Sequence, residues 1–350
     1  MLNLEIIEYF PKGIRRNQTI YTQEYTVNLP IEGPPTIDVI EDVNGEKVKR
    51  EVVVHLPVNQ IAVPYEIWRN YRERRNIRKK PYNEFRFPNE LVANISRIKL
   101  EDGSLHWEED LTDWCVIDLL RGSGIPSGSM LYQMPKYDAK IISKAFAPSG
   151  PMAVVTTTDE RILLGVRGGK AHFDGRIIPF PSGFPTYNHS TGVFETPWTG
   201  LNRESLEELG LALYSNGYDF SSDVKDVYLI GVVRGNHGDN GAWNPTPVFV
   251  VDTKLTSGQL RELHRQHASE GYEHERVILV DNKALATLMK GDYQVGDMRI
   301  EYSKLIDNGV GAKLLYGRHM FGDGWYEDIT HELTKNPRYE TVITEGNPFR

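Results

Sequence analysis

Residues 195–211 read ETPWTGLNRESLEELGL, a single helix bracketed by its own start and stop signals. Thr196 is suited to the N-cap, where its hydroxyl can accept from a free backbone N–H of the first turn. Pro197 follows at the first helical position, where a missing N–H costs nothing. Gly210 supplies the left-handed residue that ends the helix. Between them, Glu204, Glu207 and Glu208 fall at i, i+3 and i+4 and so share one face. Leu206 and Leu209 are expected to turn the other way, toward a core. Arg203, four residues before Glu207, can hold that carboxylate in place. Three carboxylates on one face repel one another. A hard divalent cation, its shell completed by bound phosphates, offsets that repulsion; a solvated acidic helix face is the ordinary alternative.

The upstream sequence adds context. Residues 152–157 read as a strand, Asp159-Glu160 as a turn, and residues 163–167 (LLGVR) as a second strand ending at an arginine; residues 179–183 (PFPSG) follow. In this order, with Glu195, seven residues and then RESLEELGL, the chain resembles the Nudix box of the Nudix hydrolases and the strands that lead into it. The resemblance covers roughly residues 148–289, under half of the chain. Two departures stand out. The family's pattern has five residues between the box glycine and its first glutamate, whereas eleven separate Gly183 from Glu195 here, so six extra residues lie within the stretch 184–191. Ser205 also stands where the family usually has an aliphatic side chain. Neither departure removes a carboxylate.

The resemblance implies an α/β (α+β) fold, a Nudix-like α/β/α sandwich with a mixed sheet. It implies Mg²⁺ or Mn²⁺ held by Glu204, Glu207 and Glu208, with Arg203 orienting a glutamate and Glu195 supporting the box from the loop. Gly183 would let the backbone approach the phosphates, since it has no side chain, and Gly200 would leave room on the carboxylate face. Arg167 is a candidate phosphate clamp. Some members place a late acid before the last strand, which makes Glu273 and Glu275 candidates here. The general base stays open between Glu204, Glu273 and Glu275.

A chain of 350 residues with ordinary hydrophobic and charged fractions is expected to hold more than one soluble globular domain. Its net charge of −8 argues against bulk attraction to nucleic acid or anionic membrane. The single cysteine, Cys115, excludes an internal disulfide or a multi-cysteine zinc site and fits a reducing, cytoplasmic setting. Its apolar neighbours suit a buried, inert thiol. The opening MLNLEIIEYF does not read as a signal peptide, and no apolar run is long enough to span a bilayer.

Along the chain, residues 1–145 are expected to form a β-rich N-terminal domain. Residues 2–9 and 20–29 read as strands. Residues 36–40 and 48–56 flank Asn44-Gly45, a hairpin signal, and residues 95–100 and 105–107 flank Asp102-Gly103, a second one. Residues 65–80 read as a helical insertion carrying Arg69, Arg72, Arg74, Arg75, Arg78, Lys79 and Lys80, either a local phosphate or RNA contact or a solvated face. Trp68 and Tyr71, at i and i+3, suit a core stripe better than base stacking. Turn-rich stretches at 121–128 and 147–151 mark a linker, with residues 137–145 a strand between them, and place the boundary near 145.

Residues 146–295 are expected to be the Nudix-like domain. Strands at 226–234 and 248–251 enclose a long loop with His237, Asp239 and Trp243, a candidate substrate wall. Trp243 could stack on a base or sugar, or tuck onto its own domain. Residues 255–268 read as an amphipathic helix with Ser257 as N-cap, residues 276–280 as a strand, and residues 281–289 as a closing helix capped by Asp281 or Asn282. Residues 296–350 form a C-terminal extension with a glycine-rich middle, expected to pack on the N-terminal domain or to mediate a homodimer.

Three functional readings follow. The first is metal-dependent hydrolysis of the pyrophosphate bond in a small nucleoside diphosphate linked to another group, such as a nucleotide sugar, ADP-ribose or a dinucleotide. The second is a Nudix-fold module that binds a nucleotide without turnover. The third, less favoured because it needs nucleic acid as partner, is an RNA-processing hydrolase of the decapping type that uses the arginine run.

Overall fold

Strand β7 (Met152–Thr156) shows how the architecture arises. Met152 and Val154 pack into one hydrophobic cluster, while Ala153 and Val155 pack into another. Successive side chains of a strand point to opposite faces, so a continuous apolar run marks a strand covered on both sides. The computed structural model describes residues 2–24, 36–43, 46–53, 91–113, 149–168, 175–188, 193–216, 219–236, 244–269, 274–291, 293–295, 298–305, 307–336 and 341–347. Before β7 lie β1 (Leu2–Ile14), β2 (Thr19–Glu24), β3 (Thr36–Val43), β4 (Glu46–Val53), β5 (Leu91–Glu101) and β6 (Ser104–Asp113). After it come β8 (Arg161–Arg167), β9 (Ile177–Pro179), the short ribbon β10 (Tyr187–Asn188) with β11 (Val193–Phe194), and helix α1 (Pro197–Leu209). A second ribbon, β12 (Tyr214–Asn216) with β13 (Asp219–Phe220), precedes β14 (Val224–Asn236), β15 (Asn244–Thr253), α2 (Ser257–His267), β16 (His274–Asp281) and α3 (Leu285–Met289). The chain continues through β17 (Tyr293–Val295), β18 (Met298–Ile300), α4 (Asp307–Phe321), α5 (Asp323–Lys335) and β19 (Thr341–Glu345).

The central sheet runs in the order β16-β8-β7-β15-β14-β1-β19, with β9 added to β8. It is mixed: β15 with β7 and β1 with β19 are parallel, and the other neighbours are antiparallel. One face carries Trp198, Leu201 and Leu209 of α1 and Leu260 of α2. The other carries Leu285, Leu288 and Met289 of α3, Val310, Leu314 and Leu315 of α4, and Tyr326, Ile329 and Leu333 of α5. The result is the α/β/α sandwich expected for the box-bearing region. Each large apolar side chain buried in these layers contributes about 1.5–3 kcal/mol.

β7 and β8 pair at Thr156↔Ile162 and then diverge. β9 and the residues after it fill the opening. Leu164 faces Pro179 across the β8–β9 ladder, Ala153 donates to the Pro181 carbonyl at 3.0 Å, and Gly183 donates to the Pro151 carbonyl at 3.3 Å. Residues 180–183 are thereby wedged into the middle of the sheet, at the same end as Arg167 and the start of β16.

Both hairpin expectations are met. β3 pairs antiparallel with β4 from Val43↔Glu46 outward, and β5 with β6 from Glu101↔Ser104 outward. Asp102 (φ 50) and Gly103 (φ 79) both adopt the left-handed region that a two-residue hairpin turn requires. The small sheet β2-β6-β5 sends Ile95, Ile98, Leu105 and Trp107 into the same hydrophobic cluster as α1. The arginine run at 69–80, the strand at 137–145 and Cys115 lie outside the described residues.

Two features differ from the sequence reading, the sheet membership of β1 and β19 and the N-cap of α2, and a third adds to it. β1 joins the central sheet beside β14, and β19 joins it beside β1, so stretches assigned to an N-terminal domain and a C-terminal extension each supply a strand to the box-bearing sheet. The glycine-rich middle of the tail is helix α4. At Gly311 an added Cβ would lie 2.8 Å from Leu4 and 3.0 Å from Val233, so the missing side chain is what lets this helix sit close on the sheet. The N-cap of α2 is Thr256, whose hydroxyl accepts from the Gln259 N–H at 3.3 Å; Ser257 instead donates through its own N–H and hydroxyl to Asp159 at 2.7 and 2.6 Å. The closing helix begins as a turn, Asn282–Ala284, capped by Asp281 as expected. Lys313 of α4 is fully buried, and among the described residues its Nζ has no hydrogen-bond partner. Burial pushes its pKa down to about 7.

Candidate active site

The helix signals hold at both ends of α1. Thr196 and Thr199 cap each other, the Thr199 N–H donating to the Thr196 hydroxyl at 3.2 Å and the Thr196 N–H to the Thr199 hydroxyl at 2.8 Å. Gly210 (φ 73) closes the helix, donating to the Leu206 carbonyl at 3.0 Å. The buried side of the helix differs from the reading, however. Leu209 is in the core, but Leu206 is 50% exposed. Buried positions 201, 204, 205, 208 and 209 follow the i, i+3, i+4 rhythm, and Leu206 falls on the opposite side. The carboxylate side is itself turned inward, so this helix buries its charges and leaves one leucine to solvent.

Arg203 organises that side. Its Nε donates to both oxygens of Glu195 at 3.1 and 3.0 Å, and Nη1 donates to Glu207 at 2.6 Å. Nη2 donates to the Phe184 carbonyl at 2.8 Å and pairs with Glu204 Oε1 at 2.8 Å. One planar fork thereby fixes three carboxylates and the loop after Gly183, a role that the point charge of a lysine could not fill. Burial works against the charge on Arg203, yet Glu204, Glu195 and Glu207 hold its pKa above the ordinary value.

Glu204 is buried, and burial pushes its carboxyl up to about 8. Arg203 opposes the shift, while Glu208 and Glu207 reinforce it. Its carboxylate occupies the space that a side chain at Gly183 would fill, since an added Cβ there would lie 1.9 Å from Oε1. Glu208 is 1% exposed. Its Oε2 accepts from the Ser182 N–H at 2.8 Å, and its Oε1 faces His274 Nε2 at 3.3 Å and Arg167 Nη1 at 3.7 Å. The wedge of residues 180–183 thus meets Glu204 through Gly183 and Glu208 through Ser182.

The structure therefore brings Arg203, Glu204, Glu207, Glu208, Glu195, Gly183 and Arg167 together. Glu275 is exposed, and Glu273, His237, Asp239 and Trp243 lie outside the described residues. Gly200 is not needed for space, because an added Cβ would meet Pro185 at 3.4 Å and Glu195 at 3.6 Å, ordinary contact distances. Ser205, in place of the aliphatic residue, is buried, and its hydroxyl has no hydrogen-bond partner among the described residues.

His274, between the two suspected acids, is the residue that sequence reasoning missed. Its ring is buried, stacked on Phe180 at a centroid distance of 4.0 Å. Alternation along a strand would group His274 with Arg276, but the β16–β8 register shifts between them, and Arg276 is exposed. A local bulge of this kind is not visible in residue order.

The donor set suits a hard divalent cation: carboxylate oxygens, a hollow at Gly183, and a buried acid whose charge is disfavoured by its acidic neighbours. Among the described residues, no three His, Cys, Asp or Glu side chains converge into a ready-made cation site, because Arg203 stands between Glu204 and Glu207. No helix among the described residues is long and apolar enough to cross a membrane.

No family model matches the chain, and no curated protein matches it. Several of the solved structures that match are described as Nudix hydrolases or MutT proteins. A MutT Nudix hydrolase from Burkholderia pseudomallei is 21% identical, with 39% of this chain and 83% of that one covered and a TM-score of 0.27. A Nudix-family hydrolase from Clostridium perfringens is 14% identical, with 48% and 94% covered and a TM-score of 0.25. A MutT protein from Methanosarcina mazei is 14% identical, with 53% and 93% covered and a TM-score of 0.25.

Proposed function

We propose that this chain is a metal-dependent Nudix-type hydrolase that cleaves the pyrophosphate bond of a nucleoside diphosphate joined to another group, such as a nucleotide sugar, ADP-ribose or a dinucleotide. The observation that carries this reading is the Arg203 fork with Glu204, Glu207 and Glu195, set beside the buried Glu208 and the wedge at 182–183. Glu204, Glu207 and Glu208 are the residues that would hold Mg²⁺ or Mn²⁺. When bound, such a cation neutralises charge on phosphate oxygens and makes its water more acidic.

The chain's own residues do the positioning. Arg203 keeps Glu204 and Glu207 from turning into solvent, and Ser182 and His274 keep Glu208 turned inward. Gly183 leaves the hollow that Glu204 occupies, and Arg167 supplies a cation beside Glu208 at the mouth of β8. Of the three candidate bases, Glu204 belongs to this cluster, Glu275 is exposed, and Glu273 lies outside the described residues.

The test is Glu207→Gln, assayed with Mg²⁺ on a panel of diphosphate-linked nucleotides. The expected outcome is a fall in turnover of about 100-fold or more, the scale of losing one preorganised charge interaction at a reaction centre. Unchanged turnover ends the assignment. One observation favours the second reading, a nucleotide-binding module without turnover: Arg203 already pairs with one oxygen of Glu204 and one of Glu207. A purified protein that binds a nucleotide and releases no phosphate-containing product with either metal would establish it. The RNA-processing reading depends on the arginine run outside the described residues.

A further inference from the structure

A carboxylate as deeply buried as Glu208 must be met by donors, because a charge taken out of water without them is prohibitively costly. One of its oxygens is met by the backbone at Ser182. The other faces the His274 ring, which is nearer to it than Arg167 is. The ring is itself held by several devices. Phe180 stacks on it at 4.0 Å with the planes 29° apart. Gly165, on the neighbouring strand β8, leaves the space behind it, where an added Cβ would lie 2.3 Å from Nδ1. The register shift after His274 leaves the ring buried while Arg276 is exposed. A stacked aromatic, a glycine and a bulge thus converge on one imidazole orientation, whose outcome is a ring nitrogen aimed at Glu208 Oε1.

We infer that His274 is a positioning residue for Glu208, and that the Phe180–His274–Gly165 stack sets how tightly the acidic cluster binds its divalent cation. The inference rests on the reading of Glu208 as a metal ligand. A neutral imidazole that donates Nε2–H to the carboxylate fixes its plane and leaves lone pairs on both oxygens for a cation. Groups that orient a ligand in this way are typically worth about 10- to 100-fold in metal affinity. His274 itself neither binds the cation nor gains or loses a proton in this role.

The experiment measures Mn²⁺ binding to the full-length protein by the paramagnetic resonance signal of free Mn²⁺, without substrate. His274→Phe keeps a stacking ring and removes the N–H; it is expected to weaken Mn²⁺ binding by about 10- to 100-fold. His274→Gln carries an amide N–H and is expected to restore binding to within a few-fold of the unaltered protein. Gly165→Ala, which displaces the ring without removing any polar atom, is expected to weaken binding like His274→Phe; it also serves if the phenylalanine variant fails to fold. Glu208→Gln is the reference for loss of a ligand. If Glu208→Gln loses Mn²⁺ while His274→Phe and Gly165→Ala bind as the unaltered protein does, the role of His274 is refuted and the ligand assignment stands. If Glu208→Gln binds Mn²⁺ unchanged, or the unaltered protein binds none, the ligand assignment fails and takes this inference with it.

Discussion

Gly183→Ala separates the role of Glu204 from the stability of the fold. The new Cβ would lie 1.9 Å from Oε1, 2.1 Å from Cδ and 2.6 Å from Oε2 of Glu204. Ordinary contact begins near 3.4 Å, so the carboxylate must retreat by about 3.4 − 1.9 = 1.5 Å. The backbone at residue 183 is not in the left-handed region, so alanine itself is tolerated. The clashing atoms are the end of a flexible side chain, which can swing away while the helix stays in place. The swing costs the 2.8 Å contact with Arg203, and losing one such charge-assisted bond costs roughly 1.5–3 kcal/mol. The thermal midpoint should therefore fall by only a few degrees. Function should suffer far more, because displacing a reacting group by about 1 Å can cost on the order of 100-fold in rate. The assay is kcat/KM on whichever diphosphate-linked nucleotide the panel identifies, with Mn²⁺ affinity and the melting curve measured on the same preparation. A variant that melts, binds metal and turns over like the unaltered protein would refute the reasoning and remove Glu204 from the ligand set.

Two further substitutions test the packing. Lys313→Met should stabilise the protein by about 1–4 kcal/mol at neutral pH, since it replaces a buried, unpartnered amine with an apolar chain of similar length. The pH dependence has a definite sign. With the folded pKa pushed down to about 7 and the ordinary lysine value at 10.5, the unfolded state binds more protons across that window, so stability should rise as pH climbs from about 7 to about 10.5. Chemical denaturation at several pH values should show this slope in the unaltered protein and lose it in Lys313→Met; an equal slope in both refutes the assignment. Ser205→Ala should raise stability by about 1 kcal/mol, because the buried hydroxyl has no partner to lose; a clear loss in the same denaturation assay would mean that the hydroxyl is satisfied.

What was legible in the sequence was whatever is written locally. Thr196, Pro197 and Gly210 bracket α1 because caps are properties of a few adjacent residues. Asp102-Gly103 marks its hairpin because a two-residue turn needs positive φ at both positions, and both have it. The carboxylates and Arg203 fall together because helical pitch alone aligns them. The misreadings share a different origin. Leu206 was expected inside on the assumption that charges face water; here Glu204 and Glu208 are buried by the wedge of residues 180–183, and the helix is rotated accordingly. His274 was passed over in favour of Glu275 because a bulge changed which residue is buried. The glycine-rich middle of the tail carried no assignment, because the close approach of Gly311 to Leu4 and Val233 involves partners more than 70 residues away in sequence.

The place of β1 carries a consequence for biosynthesis. Leu4 is paired with Gly235 on one side and with Ile343 on the other, so β1 is synthesised well before either of the strands that flank it. Until they are made, its apolar residues, Leu4, Ile6, Ile7 and Phe10, have nothing to lie against. Contacts this distant are slow to form and leave sticky surface open to other nascent chains. The box helix can form from its own local signals, but the sheet that holds it closes only once β19 has been made and has paired with β1.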